Sequence, residues 1–237
     1  MKNKSFLFLI EIISIQFFVN YIQAQNLDLK ISYSVRYECP IEDRVKLGEK
    51  TFEIFQILIN QTATLASEME TILYCNKTTS NFVLKDRLIS DADKMAQLSL
   101  ESATIQSGGS HYVDLKEMKR IDLREEDGEW YRIQLPYENY KWKITTQTKK
   151  IMGYTCYKAI GDTVIYNAKF RNNKKEKKIP IAWFTYDIPI PFGPKGLDHL
   201  PGLVLEGNIG GNYSYTYTCK KIEPLDPSNK ADRKSVV

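Results

Sequence analysis

The chain has 237 residues, with 33 basic and 29 acidic side chains and a formal net charge of +4. So mild a charge argues against a nucleic-acid-binding domain, which usually concentrates far more basic charge on one face. The length fits one β-domain. One basic run, Arg171–Lys178, lies between two apolar segments and is typical of a solvated loop tip, with contact to an anionic surface as the alternative.

The N-terminus has the pattern of a cleavable signal peptide. A short positive segment precedes an apolar run, Phe6–Val19. As a helix of about 14 residues this run is roughly 21 Å long, too short for the ~30 Å hydrocarbon core of a bilayer. Ala24 offers signal peptidase a small residue. Residues 1–24 are therefore predicted to be removed, and residues 25–237 to be exported as one domain without a membrane span.

Alternation of apolar and polar residues predicts several antiparallel strands. The pattern is clearest in Ile31–Cys39 and recurs in Val164–Phe170 and Tyr213–Lys220. A period of two residues is typical of a strand with one buried face. The Gly-Asp pair at 161–162 predicts a turn before the second of these strands.

Three further segments complete the predicted elements. Thr51–Ile59 is apolar at almost every position, which favours a strand buried on both faces, although a short helix also fits. A helix is expected to begin after Ser90, which caps it, and to end at 107–109. The polar tail Pro224–Val237 is expected to fray. The fold class predicted is mainly β: a single domain of antiparallel strands forming a curved sheet or open barrel, with at most one substantial helix.

Four cysteines are spread over the chain: Cys39, Cys75, Cys156 and Cys219. None forms a C-x-x-C pair, and this spacing does not suit a structural zinc site. No metal and no cofactor are predicted. An even number of cysteines in an exported chain favours at least one disulfide, with Cys156–Cys219 slightly ahead of the other pairings. Single cysteines on apolar strands also fit buried thiols.

The sequence lacks the common catalytic motifs, namely HExxH, the P-loop, GxGxxG and GxSxG. Its two histidines are His111 and His199, of which the second follows Asp198. Adjacent residues on an extended chain point to opposite sides, so Asp198 and His199 are not expected to act as a dyad. His199 is interpreted as a loop residue that packs locally, with a metal or catalytic role as the alternative.

The densest pattern lies between Trp142 and Glu206. It consists of Trp142–Thr145, Lys149–Ala159, Ala182–Thr185, Ile188–Ile190, Gly193-Pro194 and Leu200–Glu206, in that order. This set closely resembles the GLPGLI family, exported proteins of Gram-negative bacteria. The family's six-residue motif stands here as His199–Val204, with histidine for the first glycine and valine for the last isoleucine. The histidine indicates that the backbone at 199 does not need a glycine-only conformation.

The resemblance implies export to the periplasm or cell surface and a single β-rich domain. It supplies neither an activity nor catalytic residues to carry over. The motif residues are expected to have structural roles, and they are Gly153, Cys156, Pro189, Gly193, Pro194, Leu200, Pro201, Gly202 and Leu203.

Prolines make Ile188–Pro194 a rigid extended crossing that does not fit inside a sheet. Pro201 and Gly202 then predict a type II turn, with Gly202 at the position of positive φ. Two interpretations of this proline-rich segment remain open. It is either a structural corner, which is favoured, or the rim of a binding groove. The candidate binding residues of that groove are Trp183, Phe184, Phe192 and His199.

The leading functional hypothesis is a non-enzymatic envelope protein that binds an apolar ligand or an envelope partner. The first alternative is a hydrolase or metal-dependent enzyme whose site includes Asp198, His199 and Glu206. The second is a purely structural subunit of an envelope complex. An apolar cavity would favour a carrier, whereas polar side chains converging on His199 would favour an enzyme.

We predict that the mature protein begins at or near Gln25, because the apolar run is too short to span a bilayer and ends at a small residue. N-terminal sequencing of the exported form measures this directly. Recovery of a membrane-bound protein that retains residues 1–24 would contradict it.

Overall fold

The computed structural model describes residues 28–38, 49–84, 110–126, 129–137, 140–166, 175–210 and 214–225. These residues form one α-helix, α1 (Glu49–Glu68), and twelve strands. The strands are β1 (Leu29–Glu38), β2 (Thr71–Cys75), β3 (Thr79–Leu84), β4 (Ser110–Asp114), β5 (Lys119–Glu126), β6 (Glu129–Gln134), β7 (Lys141–Ile151), β8 (Tyr154–Tyr166), β9 (Lys175–Lys178), β10 (Ile181–Thr185), β11 (Leu203–Asn208) and β12 (Ser214–Pro224).

All twelve strands belong to one open antiparallel sheet. Eleven follow a single hydrogen-bonded path, β6-β5-β4-β3-β2-β1-β12-β11-β10-β8-β7, and β9 pairs with β8 beside that path. The predicted fold class, mainly antiparallel β with at most one substantial helix, is confirmed for the described residues. None of the described helical residues form a segment long and apolar enough to cross a membrane.

β1 and β12 pair along their whole length at the centre of the sheet. The predicted alternation is confirmed, because the odd-numbered side chains of β1 are all buried. Tyr217 of β12 is fully buried and packs edge-to-face on Phe82 of β3, with ring centroids 5.6 Å apart. The Tyr33 hydroxyl donates a 2.7 Å hydrogen bond to the carbonyl oxygen of Val204. This buried bond connects β1 to β11 across the core.

The segment predicted as a strand at Thr51–Ile59 lies in α1, so that prediction is wrong and the helical alternative is correct. The buried side chains Ile59, Thr62 and Ala66 are spaced as one face of a helix. They pack on the inner face of the sheet, against β1. Upstream, the Ile54 side chain is 57% exposed. Apolar content in this segment therefore does not indicate burial on two faces.

The turn predicted at 161–162 does not form, and β8 runs straight through it. A Cβ atom at Gly161 would lie 2.8 Å from the Pro180 ring and 3.2 Å from Trp142, so this glycine allows close packing. The hairpin between β7 and β8 turns at Met152 and Gly153, whose φ angles are 51° and 86°. Two successive positive φ angles are typical of a two-residue type I′ turn.

Other predictions concern the ends of elements. Lys175–Lys178, predicted within a loop tip, forms β9 and pairs with β8. Pro224, predicted to fray, is the last residue of β12 and pairs with Leu29. The predictions for residues 1–24, the helix after Ser90, Cys39 and residues 226–237 lie outside the described residues.

Cys156 and Cys219 are buried free thiols, so the predicted Cys156–Cys219 disulfide is wrong. Their strands, β8 and β12, are separated by β10 and β11. Three strand spacings of about 4.8 Å exceed the roughly 4.4–6.8 Å that a disulfide spans between Cα atoms. Burial raises the pKa of Cys156 to about 11 and that of Cys219 to about 12, so the reactive thiolate is scarce at neutral pH. Cys75 is also buried, on β2.

The two edges of the sheet differ in their protection. β7 carries four lysines, and its register with β8 shifts between Ile144 and Thr148. Charged side chains and bulges are the usual protection of an edge strand. β6 has no lysine or proline, and all six of its side chains are exposed. Its large side chains Trp130, Tyr131 and Ile133 are 67%, 49% and 37% exposed. Within the described part of the chain, β6 is thus an aromatic edge strand without a bulge, and its charged side chains are Glu129 and Arg132.

Gly202 does not have a positive φ, so the predicted type II turn is wrong. The structure requires glycine there for another reason. A Cβ atom at 202 would overlap the carbonyl oxygen of Thr185 at the end of β10. The turn after Pro201 therefore depends on close approach of two backbone segments.

We expect Gly202→Ala to lower the free energy of unfolding by about 2–3 kcal/mol, because the backbone at Thr185 must move. Gly153→Ala is the control, since Gly153 has a φ of 86° but a Cβ atom there would have no other atom within 4 Å. Its cost is the left-handed backbone alone, about 1 kcal/mol. Denaturant unfolding measures both losses, and a smaller loss for Gly202→Ala than for Gly153→Ala would contradict the close-approach explanation.

Candidate functional site

The proline-rich crossing leads into a 3-10 turn, Pro194–Gly196. The backbone N–H of Val204 donates to the Phe192 carbonyl at 3.0 Å, and that of His199 donates to the Pro191 carbonyl at 2.9 Å. The crossing therefore runs beside β11 and then folds back. The 3-10 turn contacts β3 and β4, which are far from β11 in the strand order. The crossing thus joins two separate regions of the sheet.

Arg120 of β5 binds the segment that follows this crossing. Its side chain is fully buried. Its Nη2 donates to the Gly196 carbonyl at 3.3 Å, and its Nη1 donates to the Tyr137 carbonyl at 3.4 Å. Nη1 also lies 3.6 Å from Oδ1 of Asp198. A guanidinium keeps its charge in proteins, so these partners are what make its burial tolerable.

His111 of β4 lies on the other side of Arg120. Its Nε2 is 3.2 Å from Nη2 of Arg120, and its Nδ1 bonds the carboxylate of Asp122 on β5. Because a guanidinium can only donate, Nε2 must accept this hydrogen bond. The geometry therefore assigns a ring proton to Nδ1, which donates it to Asp122.

Asp198 and His199 form the outer end of the same group. The φ angle of His199 is 66°, in the left-handed region that favours glycine. Histidine is one of the few other residues tolerated there, so this conformation favours glycine without requiring it. The argument against an Asp198–His199 dyad assumed an extended backbone, and the backbone at His199 is not extended. Nδ1 of His199 lies 2.8 Å from Oδ1 of Asp198.

Together these side chains form a continuous row that we call the Arg120 cluster: Asp122, His111, Arg120, Asp198 and His199. Only its last member reaches the surface appreciably, with the His199 side chain 28% exposed. His199 packs edge-to-face on Tyr137, with ring centroids 4.9 Å apart. With Nδ1 bonded to Asp198, Nε2 of His199 can exchange a proton at the surface. Arg120 separates the two acid–histidine pairs, and the described residues contain no group of three His, Cys, Asp or Glu side chains that could hold a metal ion.

The Arg120 cluster also fixes the chain that follows β6. The N–H of Leu135 donates to the backbone carbonyl of Arg120 at 2.9 Å. The Arg120 guanidinium then holds the carbonyl of Tyr137, and His199 packs on the Tyr137 ring. The exposed edge strand is thus anchored at its C-terminal end to buried groups.

The structure does not bring the four candidate binding residues into one groove. Phe184 and Phe192 are fully buried in different hydrophobic clusters. Trp183 is partly buried and packs with the cluster that contains Phe192. His199 stands apart from all three, beside Tyr137.

Glu206, named with Asp198 and His199 as a catalytic candidate, lies in another environment. Its Oε1 is 2.6 Å from Nζ of Lys149. The same ammonium lies 4.4 Å from the centroid of the Trp183 ring, a cation–π contact. Glu206 is thus paired on the sheet surface rather than joined to the Arg120 cluster.

The motif residues occupy corners and core positions. Leu200 and Leu203 are buried, and Pro194 begins the 3-10 turn. A Cβ atom at Gly193 would lie 2.6 Å from Cβ of Val204, so glycine permits the approach of the crossing to β11. The remaining members are Gly153 in the β7–β8 turn, buried Cys156 and Gly202, and exposed Pro189 and Pro201.

No motif in the sequence marks Arg120, Asp122 or Tyr137, and none surrounds His111. In β5 the charged Arg120 and Asp122 alternate with apolar Ile121 and Leu123. This pattern predicts charges outside and apolar side chains inside. Arg120 is instead fully buried, and its apolar neighbour Ile121 is buried as well, so both faces of β5 are covered here and the alternation does not identify the inner face.

Residues 142–206 match a family model described as "Protein of unknown function (Porph_ging)". These are the residues that carry the resemblance to the GLPGLI family, and the match supports that resemblance over this part of the chain. The comparison with curated proteins found no match. Three solved chains match, one of them described as "Structure of PNGF-II in P21 space group". It is 14% identical, with a TM-score of 0.49, and the match covers 87% of this chain and 30% of that one. A likeness at this level assigns neither an activity nor a site to the present chain.

We expect Arg120→Met to lower the free energy of unfolding by about 3–5 kcal/mol, because it leaves the buried Asp198 carboxylate without its cation. Adding Asp198→Asn should recover part of this loss, since the carboxylate charge is then absent. The control is Lys119→Met, which breaks an exposed 2.5 Å pair with Glu117 and should cost less than about 1 kcal/mol. Denaturant unfolding of the wild type, Arg120→Met, Asp198→Asn, the double variant and Lys119→Met measures the coupling. Equal losses for Arg120→Met and Lys119→Met would contradict the role given to Arg120.

Proposed function

We propose that this chain is an exported, non-enzymatic envelope protein that binds an envelope partner through the β6 edge. Export is supported by the signal-peptide pattern of residues 1–24 and by the family resemblance of residues 142–206. Partner binding is supported chiefly by one observation, the contrast between the two edges of the sheet. β7 has the lysines and the bulge that discourage pairing, and β6 has neither.

The partner that suits such an edge is a protein that adds an extended strand. An unpaired edge offers backbone N–H and carbonyl groups to a new strand, and alternate side chains select it. Trp130 projects from one face of β6, and Tyr131 and Ile133 project from the other. Aromatic side chains are the residues that contribute most often to the energy of protein interfaces.

The anchoring of β6 supports the same proposal. Its C-terminal end is held by the backbone and the side chain of Arg120, through Leu135 and Tyr137. A strand that is already ordered loses less conformational entropy when a partner binds. By contrast, Phe184 and Phe192 are fully buried, so neither is open to an apolar ligand. A protein partner therefore fits better than an apolar small molecule.

The test compares two edge variants of the full chain, expressed in a Gram-negative envelope. Tyr131→Lys/Ile133→Lys places two charges on β6, as natural edges do. The control, Ile144→Lys, adds a charge on β7, where the side chain is 43% exposed. Native mass spectrometry of the solubilised envelope identifies a bound partner. The purified pair should then bind at least about tenfold more weakly when β6 carries the lysines, and unchanged with Ile144→Lys. Equal binding by the β6 variant, or assembly of the pure protein with itself alone, would contradict the proposal.

An acid–base enzyme is the second candidate, and one contact favours it. Nδ1 of His199 bonds Asp198, which leaves Nε2 of His199 at the surface as a proton acceptor. Hydrolysis of ester, amide and phosphate model substrates by the wild type, abolished in His199→Gln, would favour this candidate over partner binding.

A further inference from the structure

The backbone of β6 alternates between residues bonded to β5 and residues whose polar groups point away from the sheet. The N–H of Leu135 donates to the Arg120 carbonyl at 2.9 Å, and the β5–β6 register continues from this pair. In an antiparallel ladder, pairs that exchange backbone hydrogen bonds alternate with pairs that do not. Ile133 and Tyr131, two and four residues before Leu135, therefore bond to β5.

The N–H and carbonyl groups of Trp130, Arg132 and Gln134 point outward from this edge as a consequence. β6 is the first strand of the hydrogen-bonded path, so no described strand pairs with its outer side. All three residues are exposed. They offer a donor and an acceptor at every second residue, which is the spacing that an added strand requires.

A cation lies in the middle of this outward row. Arg132 is exposed, and it forms no ion pair with any other described residue. Charged side chains on an edge can discourage pairing, for which lysine is the usual choice. Arginine differs in its planar fork of donors, which matches a carboxylate. Its neighbours Tyr131 and Ile133 are large and exposed, and such side chains favour an interface rather than protection from one.

A second copy of the chain fits this edge poorly. If two β6 strands paired antiparallel over their whole length through their outward groups, the Arg132 side chains of the two copies would lie directly opposite each other. Like charges in this position destabilise a strand pair, whereas opposite charges stabilise it. The edge therefore favours a strand from another protein that places a carboxylate opposite the guanidinium.

We propose that β6 binds an extended antiparallel segment of its partner that has an acidic residue opposite Arg132 and an apolar residue on each side of it. The segment bonds the backbone groups of Trp130, Arg132 and Gln134. Its two apolar side chains lie on the other face, against Tyr131 and Ile133. This inference rests on the proposed function, to which it adds the chemistry of the partner and the register of the contact.

Amide hydrogen exchange on the full chain tests the register directly. The probe is the blocked peptide Val-Thr-Val-Glu-Val-Thr-Val. In the free protein, the amides of Tyr131 and Ile133 should be protected by β5, whereas those of Trp130, Arg132 and Gln134 should exchange freely. Saturation with the peptide should slow exchange at the second set by about tenfold or more, because only these amides gain an acceptor.

A peptide with lysine in place of the glutamate tests the charge. It should bind about fivefold more weakly than the glutamate peptide, and high salt should reduce the difference, because an exposed ion pair is screened. Arg132→Val removes the guanidinium and keeps the backbone N–H. This variant should therefore bind the two peptides alike.

Proline substitutions separate the two sets of backbone N–H groups. Arg132→Pro removes an outward donor, which an edge strand tolerates, whereas Tyr131→Pro removes a donor to β5. Arg132→Pro should therefore lower the midpoint of thermal unfolding less than Tyr131→Pro. It should also bind the glutamate peptide at least about tenfold more weakly than Arg132→Val, which lacks the same charge but keeps the N–H.

Failure of this inference and failure of the proposed function give different results. If Tyr131→Lys/Ile133→Lys weakens binding while Arg132→Pro and Arg132→Val bind alike, the register is wrong and the β6 site stands. If neither peptide binds while a protein recovered from the envelope still binds through β6, the partner chemistry is wrong. Protection of the outward amides that rises with protein concentration in the absence of peptide would identify a second copy as the occupant and would also overturn the inference.

Discussion

The buried guanidinium of Arg120 joins parts of the chain that the strand order keeps apart. β5, which carries Arg120, lies near one edge of the sheet, whereas Gly196 and Asp198 belong to the segment that follows the crossing and leads to β11. A buried charge that loses its partners is far more costly than an exposed one. The position of the crossing, the tautomer of His111 and the anchoring of β6 all depend on keeping that charge satisfied.

The strands with one buried face could be predicted from the sequence, because burial on one side imposes a period of two residues. β1 and β12 follow this rule. The prediction of strands fails where it rests on a high content of apolar residues rather than on a period of two residues. The segment Thr51–Ile59 is rich in Ile and Phe but belongs to α1, and its helical spacing appears only when Thr62 and Ala66 are included. At Gly161 the glycine admits Pro180 and Trp142, and a close approach of this kind has no signature in the local sequence.

The candidate site was predictable only in part. Asp198 and His199 are neighbours in the sequence, but their contact depends on the left-handed φ of His199. A histidine does not signal this backbone conformation as a glycine would. Arg120 contacts Asp198 through tertiary structure alone. The polar–apolar alternation in β5 predicts an exposed Arg120, whereas its side chain is buried. Gly202 was recognised as necessary but for the wrong reason, since its requirement comes from the Thr185 carbonyl on another strand.

Amide hydrogen exchange, compared between the wild type and Arg120→Met, tests the central role of Arg120 most directly. Exchange resolves local opening from global unfolding, residue by residue. If Arg120 anchors the crossing and the edge, the variant should exchange faster at β6, at Leu135–Tyr137 and at the 3-10 turn. The amides that pair β1 with β12 should keep their protection under conditions where the variant remains folded. Unchanged exchange at β6 and the 3-10 turn in that folded variant would contradict the account.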